Sequence, residues 1–496
     1  PQSVRLHGNV GDLGYYYVDA LVGSPQPQRT SLVVDTGSVL CVMSCSECSH
    51  CGPHLDDPFD AGRSQTLSWV ACGPHQTCGQ CVDGRCGYHE AYSEGSAVSG
   101  NWFRDRLSLG DAQMRTWPTW AHLGCHTSES QLFYSRWVGG VLGMAPGLPG
   151  SRPTVEDLLK DSPADSAVFA LCLSSSGGML TIGGYNSSLH RGKPVWVPMG
   201  LSGQYSVGLR GLALQSLSDE VNLQVRESFG RATVESSTAL THFPRNVYLA
   251  VAAGISAICN RSTEPCGTRS GSDCYLVEGP TDLSRFPRLF LQFSDRTILE
   301  WPRTSYMVLR DIKTRRWCHG FAASPTHRTV LGATWLLDRD VVFDLSRGRL
   351  GVAPAKCPQG ERQSLPQNLQ VPAFAASAAA QPRQEYGGAD SQVLLSSILV
   401  CLSLVLMVGG VCCTLCHLHE AVVAKPLPSS GSGAVVLGRP PSHGSAAPDD
   451  AAKLDGQPPP PAAAVTLERW LAGPAAEFSS GPDSSRPEDA GRLLEP

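Results

Sequence analysis

One aspartate carries the local pattern of bond-breaking chemistry. Residues 31–38 read SLVVDTGS, an apolar run that delivers Asp35 into a tight Thr36-Gly37-Ser38 turn. A carboxylate held this way can hydrolyse an amide if a second one faces it. One acts as base on water while the other presents a proton to the carbonyl oxygen, and the proton is shared because carboxylates about 3 Å apart cannot both ionise. Gly37 permits close backbone approach. Thr36 can hydrogen-bond across to a partner half-site, and Ser38 can fix the outer oxygen of the carboxylate. Alone, the tripeptide also fits an ordinary turn, since aspartate and glycine favour turns.

Cysteines offer a second chemistry. Cys45, Cys48 and Cys51 are spaced as C-x-x-C pairs, a pattern shared by zinc sites and disulfides. No second half of regular spacing follows, and eight of the 19 cysteines crowd between Cys41 and Cys86. That clustering suits an oxidised compartment, so disulfides are expected, with no metal and no cofactor. His50, His54 and His75 are then surface polar residues. Glycosylation acceptor tripeptides at Asn186 and Asn260 agree with that compartment. The net charge of -5 shows no basic surplus and argues against nucleic acid as a partner.

Strands must position such an aspartate, and residues 1–357 supply them. Runs such as YYYVDALVG, TSLVVDTG, GMLTIGGY, RTVLGATW, DVVFDL and RGRLGVAP are short, β-branched or aromatic, and punctuated by Gly, Pro and Asn. Helices are expected over 154–160 and over 245–258, the second entered through Pro244. At 496 residues the chain exceeds a single core. Residues 393–415 are almost purely apolar, a stretch of 23 residues long enough for one transmembrane helix. A stalk rich in Pro, Gln and Ala spans 358–392, and 416–496 read as a disordered, cytosolic tail. Disulfides and acceptor tripeptides place the N-terminal part in the lumen. The opening at Pro1, without an apolar leader, says nothing against secretion.

Several further segments turn the aspartate from a weak signal into a set. YSEGSAVSG at 92–100 followed by NWFRDRLSLG resembles the flap hairpin of pepsin-like aspartic proteases, GGVLGMA at 139–145 resembles a strand beside their catalytic aspartate, and 330–354 resembles their closing strands. The resemblance covers nearly all of residues 10–357, in family order. Within that family, the insertion over 41–86 resembles the nepenthesin type, and CGPHLDDPFD, GRCGYHEAYSEGS and STALTHFP resemble plasmepsin V and its apicomplexan relatives. The resemblance implies a mainly β, bilobal fold, with one lobe over 1–195 and the second over 196–357. It also implies a single-pass membrane protein of the endoplasmic reticulum or Golgi, an endopeptidase acting on secretory or exported polypeptides at Arg-x-Leu motifs. Cys125 is placed as the unpaired cysteine, and Cys172–Cys357, Cys259–Cys266 and Cys274–Cys318 as pairs. Tyr92 and Gly95 belong to the flap over the substrate. Glu94 matches a position that receives the substrate arginine, which a carboxylate can bind bidentately. Glu129, in a loop near Cys125, is a second, weaker candidate for that arginine and otherwise reads as a solvated acid.

The second half-site departs from the family. Where V-D-S-G-S/T is expected, residues 233–238 read TVESST. Glu235 stands in the place of the second aspartate and Ser237 in that of the glycine, while Ser236 and Thr238 keep the roles of Thr36 and Ser38. The extra methylene moves the carboxyl by about 1.5 Å, and a misplacement near 1 Å can cost about 100-fold in rate. Ser237 adds a side chain where close backbone packing is expected. Two readings stay open: an aspartic endopeptidase with an Asp35/Glu235 dyad, or an impaired pseudoprotease binding extended peptides as a membrane receptor or chaperone.

Overall fold

The β-branched and aromatic runs form strands in the computed structural model, which describes residues 1–360, except 74–77, 93–94, 149–152, 161–166, 217–219, 227–228 and 262–264, together with 465–466. A six-stranded antiparallel layer draws on both halves of the sequence, in the order Gln2–Asn9, Gly178–Ile182, Val168–Leu173, Arg339–Asp344, Arg349–Pro354, Val195–Gly200. Val168–Leu173 and Arg339–Asp344 are buried along their whole length, which explains their lack of polar alternation. Phe169 stacks on Phe343 with ring centroids 4.5 Å apart, and Cys172–Cys357 ties the layer to the end of the body.

Above this layer the same small motif occurs twice. Gln28–Asp35 runs parallel to Gly140–Gly143, with Asp35 opposite Gly143, and Gly140–Gly143 is antiparallel to Cys41–Ser44. In the second half Ala232–Val234 runs parallel to Thr329–Leu331, with Val234 opposite Leu331, and His242 of Thr241–Phe243 pairs antiparallel with Val330. Glycine is required at both crossings. A Cβ at Gly143 would lie 2.5 Å from the backbone N and O of Leu40, and one at Gly332 would lie 2.2 Å from the carbonyl oxygen of Leu240.

Thr154–Lys160 is helical as expected, and the helix after Pro244 runs over Arg245–Arg261, three residues past the expected end. It buries Val247, Val251, Ile255 and Cys259, a four-residue repeat along one face. Short helices at Leu132–Ser135, Pro280–Ser284, Arg303–Tyr306 and Ala333–Leu336 carry too few residues for a periodic signal.

Fourteen of the cysteines up to Cys357 form seven disulfides, including all three pairings the family pattern implies. Cys125 is not the unpaired one. The parallel register of Cys41–Ser44 against Thr119–Glu129 sets Met43 opposite Cys125, which brings Cys45 within 5.5 Å of it, Cα to Cα, and the two are bonded. Cys41, four residues earlier, is the free thiol and is buried. The stalk, the 393–415 span and the tail lie outside the described residues, apart from Val465–Thr466, which pairs with the strand Glu220–Val225. No helix among the described residues is long and apolar enough to cross a membrane.

Candidate active site

Asp35 ends its strand and Glu235 directly follows its own, so the repeated motif brings two carboxylates to equivalent places. Their loops are locked by reciprocal hydrogen bonds. Thr36 N donates to Ser236 Oγ at 3.1 Å and Ser236 N donates to Thr36 Oγ1 at 3.0 Å. Each hydroxyl then donates onward, Thr36 Oγ1 to the Val234 carbonyl at 2.8 Å and Ser236 Oγ to the Val34 carbonyl at 2.6 Å. All four groups are buried and satisfied, so the lock fixes the loops relative to each other.

The carboxyl groups converge over Gly37. A Cβ placed there would sit 3.1 Å from Asp35 Oδ1, 3.1 Å from Glu235 Cγ and 3.3 Å from Glu235 Cδ. Asp35 Oδ1 accepts from Gly37 N at 2.7 Å and from Ser237 Oγ at 2.6 Å. Glu235 Oε1 accepts from Thr233 Oγ1 at 2.8 Å, and Oε2 from Thr238 Oγ1 at 3.1 Å. Burial is the largest influence on Glu235 and raises its pKa; the charge of Asp35 adds to this, and the two threonine hydroxyls and Arg328 offset part of it. One member of the pair is therefore disposed to hold a proton.

Two expectations change here. Ser237 does not crowd the loop contact, because its side chain turns to Asp35. Ser38 does not fix the outer oxygen of Asp35: its Oγ is buried and finds no hydrogen-bond partner among the described residues. Thr238 does hold Glu235, as expected. Sequence reasoning missed Thr233, although residues two apart on a strand share a face and a hydroxyl two positions before Glu235 could have been read that way.

The flap hairpin pairs Arg85–Ala91 with Ala97–Leu109. At its tip Tyr92 N donates to the Ser96 carbonyl at 2.8 Å, and Gly95 N to the Tyr92 carbonyl at 2.9 Å. Gly95 has φ +94°, which L side chains rarely adopt. The Tyr92 ring packs on Phe133 at 4.9 Å and on a cluster that includes Val33, two residues before Asp35. Glu94 and His75 lie outside the described residues.

Glu129 is no solvated acid, and His54 is not a surface residue. Glu129 is 1% exposed, with Oε1 on His126 Nδ1 at 2.8 Å and Oε2 on both His54 Nε2 at 2.9 Å and Gly52 N at 3.1 Å. Burial opposes its charge, but the hydrogen bonds and charges of the two histidines outweigh it and hold the carboxyl at about 2. Burial opposes the charge of His54 too, yet Glu129 raises its pKa; in His126 burial wins and lowers it. His50 is exposed and stacks on Tyr134 at 4.9 Å. Cys51, His126 and Glu129 offer donor atoms within 4.8 Å of one another, but Cys51 is bonded to Cys48 and has no thiolate to give a metal.

Comparison with known proteins agrees with this geometry. Residues 15–355 match the family model described as eukaryotic aspartyl protease. Aspartic protease 5 of Toxoplasma gondii is 31% identical over 377 residues, which cover 71% of this chain and 37% of that protein. Plasmepsin V of Plasmodium falciparum (isolate 3D7) is 25% identical over 454 residues, 74% of this chain and 75% of the relative. Aspartic proteinase nepenthesin-1 of Nepenthes gracilis is 26% identical over 370 residues, 72% and 81% of the two chains. With two carboxylates over a shared glycine, a reciprocal Thr/Ser lock and a match across the whole two-half body, the chain belongs to the pepsin-like eukaryotic aspartyl protease family.

Proposed function

We propose that this protein is an aspartic endopeptidase of the secretory pathway, with Asp35 and Glu235 as its catalytic pair. The observation that carries the reading is the convergence of the two carboxyl groups over Gly37, each held by its own donors. Asp35 Oδ1 accepts from an amide N–H, which can only donate, so this oxygen is held as an acceptor. With Glu235 the member disposed to hold the proton, Asp35 acts as base on the attacking water. Glu235 contacts hydroxyls, which can turn and accept, so it can carry the proton and give it to the carbonyl oxygen as the tetrahedral intermediate forms. The proton taken by Asp35 then goes to the leaving amine. Tyr92 on the flap covers the bound peptide and excludes water.

The finer parts of the reading rest on resemblance. Substrates are secretory or exported polypeptides with Arg at P3 and Leu at P1, the arginine taken by Glu94. The chain is anchored by the 393–415 span in the endoplasmic reticulum or Golgi, with residues 1–357 in the lumen. The lobes divide near 195, followed by the stalk over 358–392 and the cytosolic tail over 416–496.

A second reading draws on the same departures from the family: with Glu235 and Ser237 in place, the site binds extended peptides without cleaving them, as a membrane receptor or chaperone. Turnover by the full chain of a fluorogenic peptide with Arg at P3 and Leu at P1, between about pH 4 and about pH 7, separates the two. Cleavage that Asp35→Ala abolishes is the expected result. No cleavage by the parent, with activity gained in Glu235→Asp, would move the function to peptide binding.

A further inference from the structure

We propose that Glu235 and Ser237 are a matched pair, in which the Ser237 hydroxyl is the positioning group that holds Asp35 against the longer Glu235. The proposal rests on the Asp35/Glu235 reading above and assigns a part to a residue that stands where the family has glycine.

Space comes first. Gly37 and Ser237 occupy equivalent places in the repeated loops, and each faces the carboxylate of the opposite loop. At Gly37 the room for a Cβ is taken by Asp35 Oδ1 and by the side chain of Glu235, whose Cγ comes across from the opposite loop; each would lie 3.1 Å away. Ser237 faces Asp35, one methylene shorter. The Ser237 hydroxyl bridges the shorter reach of that side chain, its Oγ donating to Asp35 Oδ1 at 2.6 Å. One loop thus combines a long acid with an opposing glycine, and the other a short acid with an opposing serine.

Hydrogen bonding follows the same division. Both oxygens of Glu235 take hydroxyls from their own loop, Thr233 and Thr238. Asp35 takes its hydroxyl from the other loop, while the Oγ of Ser38 next to it has no partner among the described residues. Ser237 therefore replaces Ser38 as the hydroxyl donor to Asp35. It also links the two loops at the reacting groups themselves, above the Thr36–Ser236 lock. Restoring aspartate at 235 alone withdraws the long side chain from Gly37 and leaves Ser237 still drawing Asp35 toward its own loop. The family arrangement returns only if both positions change.

A mutant cycle on the full chain tests this. The forms are the parent, Glu235→Asp, Ser237→Gly and the double variant. Two readouts are used: kcat/KM on the fluorogenic peptide, and affinity for a peptide whose scissile amide is replaced by a hydroxyethylene group, a stand-in for the tetrahedral intermediate. Ser237→Gly is expected to lose about tenfold. Glu235→Asp, although it restores the family residue, is expected to lose about 100-fold. The double variant should be better than either single one, a coupling between neighbours that independent sites do not show. Ser237→Thr, which keeps the hydroxyl, should retain more activity than Ser237→Ala.

Losses that simply multiply, or a Glu235→Asp variant better than the parent, would overturn the pairing. If the parent binds the hydroxyethylene peptide but does not turn over, non-multiplying affinities would still uphold the pairing while the hydrolytic reading falls. Multiplying losses in an active parent would do the reverse.

Discussion

Asp35 and Glu235 sit at equivalent points of a repeated motif: Asp35 ends a strand parallel to Gly140–Gly143, and Glu235 directly follows one parallel to Thr329–Leu331. Their surroundings differ. Asp35 is held by the backbone of its own loop and a hydroxyl from the other, and Glu235 by two hydroxyls of its own loop. Backbone and lock are nearly symmetric, whereas the acids and their donors are not. A change of length at one acid is accommodated where the opposite loop has no side chain, and the opposite serine takes up the slack. Symmetry of the frame is therefore no guide to symmetry of the chemistry.

The largest effect is expected where the frame leaves no room. Gly37→Ala puts a methyl group 3.1 Å from both Asp35 Oδ1 and Glu235 Cγ, so at least one acid must move by a few tenths of an ångström or more. Activity should fall by about 100-fold, because the reacting groups themselves are displaced. Removing the side chain at the equivalent place, Ser237→Gly, should cost less. Steady-state kinetics on both variants reads the contrast, and equal losses would mean that Glu235 does not fill the space over Gly37.

A second contrast sets Glu235 against Glu129. Burial acts against the charge of both. At Glu235 burial, with the charge of Asp35 added, raises the pKa, whereas at Glu129 the two histidines outweigh burial and lower it to about 2. The sign for Glu129 follows from linkage. Its folded pKa lies below the ordinary 4.5, so its stabilisation is complete above about 4.5 and is lost as pH falls toward about 2. Glu129→Gln should therefore destabilise the fold by about 2 kcal/mol near pH 6, and the gap to the parent should close as the pH drops below about 4. The raised His54 adds an upper limit: stability from its charged form is present below its ordinary 6.5 and is lost as pH rises through its folded value. Denaturant unfolding across pH measures both edges. A gap that persists unchanged at acid pH would show that the carboxylate's charge is not what stabilises this cluster.

How much of this was legible in the sequence depended on distance along the chain. Asp35, its glycine turn, the hairpin with Gly95 and the helix after Pro244 are local patterns, and the structure has a turn, a hairpin and a helix there, the helix running three residues further than expected. The partner of Asp35 was not legible, because Ser237 lies 202 positions away and only the meeting of two loops selects it over adjacent Ser38. Cys125 was assigned as free by resemblance, whereas a parallel strand register 80 positions apart decided its bond to Cys45. Glu129 and His54 were both read as solvated because acids and histidines usually are, and their pairing spans 75 positions. Thr233 was the avoidable omission, since its relation to Glu235 is the two-residue period of a strand.

The smallest expected effect sharpens the first comparison most directly. Ser38 and Thr238 hold equivalent positions, and a symmetric site would give them equal parts. Thr238 donates to Glu235 Oε2 at 3.1 Å, while the Ser38 hydroxyl has no partner among the described residues. Removing a hydroxyl from a carboxylate costs about 1 kcal/mol or more, and removing one that bonds to nothing relieves a buried polar group. Thr238→Ala should therefore lower kcat/KM by about fivefold, and Ser38→Ala should leave it within about twofold of the parent. The direction on pH also differs. Losing the Thr238 hydrogen bond removes one of the contacts that lower Glu235, so its pKa rises further and the alkaline limb of the profile moves to higher pH. Ser38→Ala should move neither limb. If Ser38→Ala proved the more damaging of the two, the donor to Asp35 would be its own loop's serine, and the asymmetry of the two half-sites would reduce to the single methylene of Glu235.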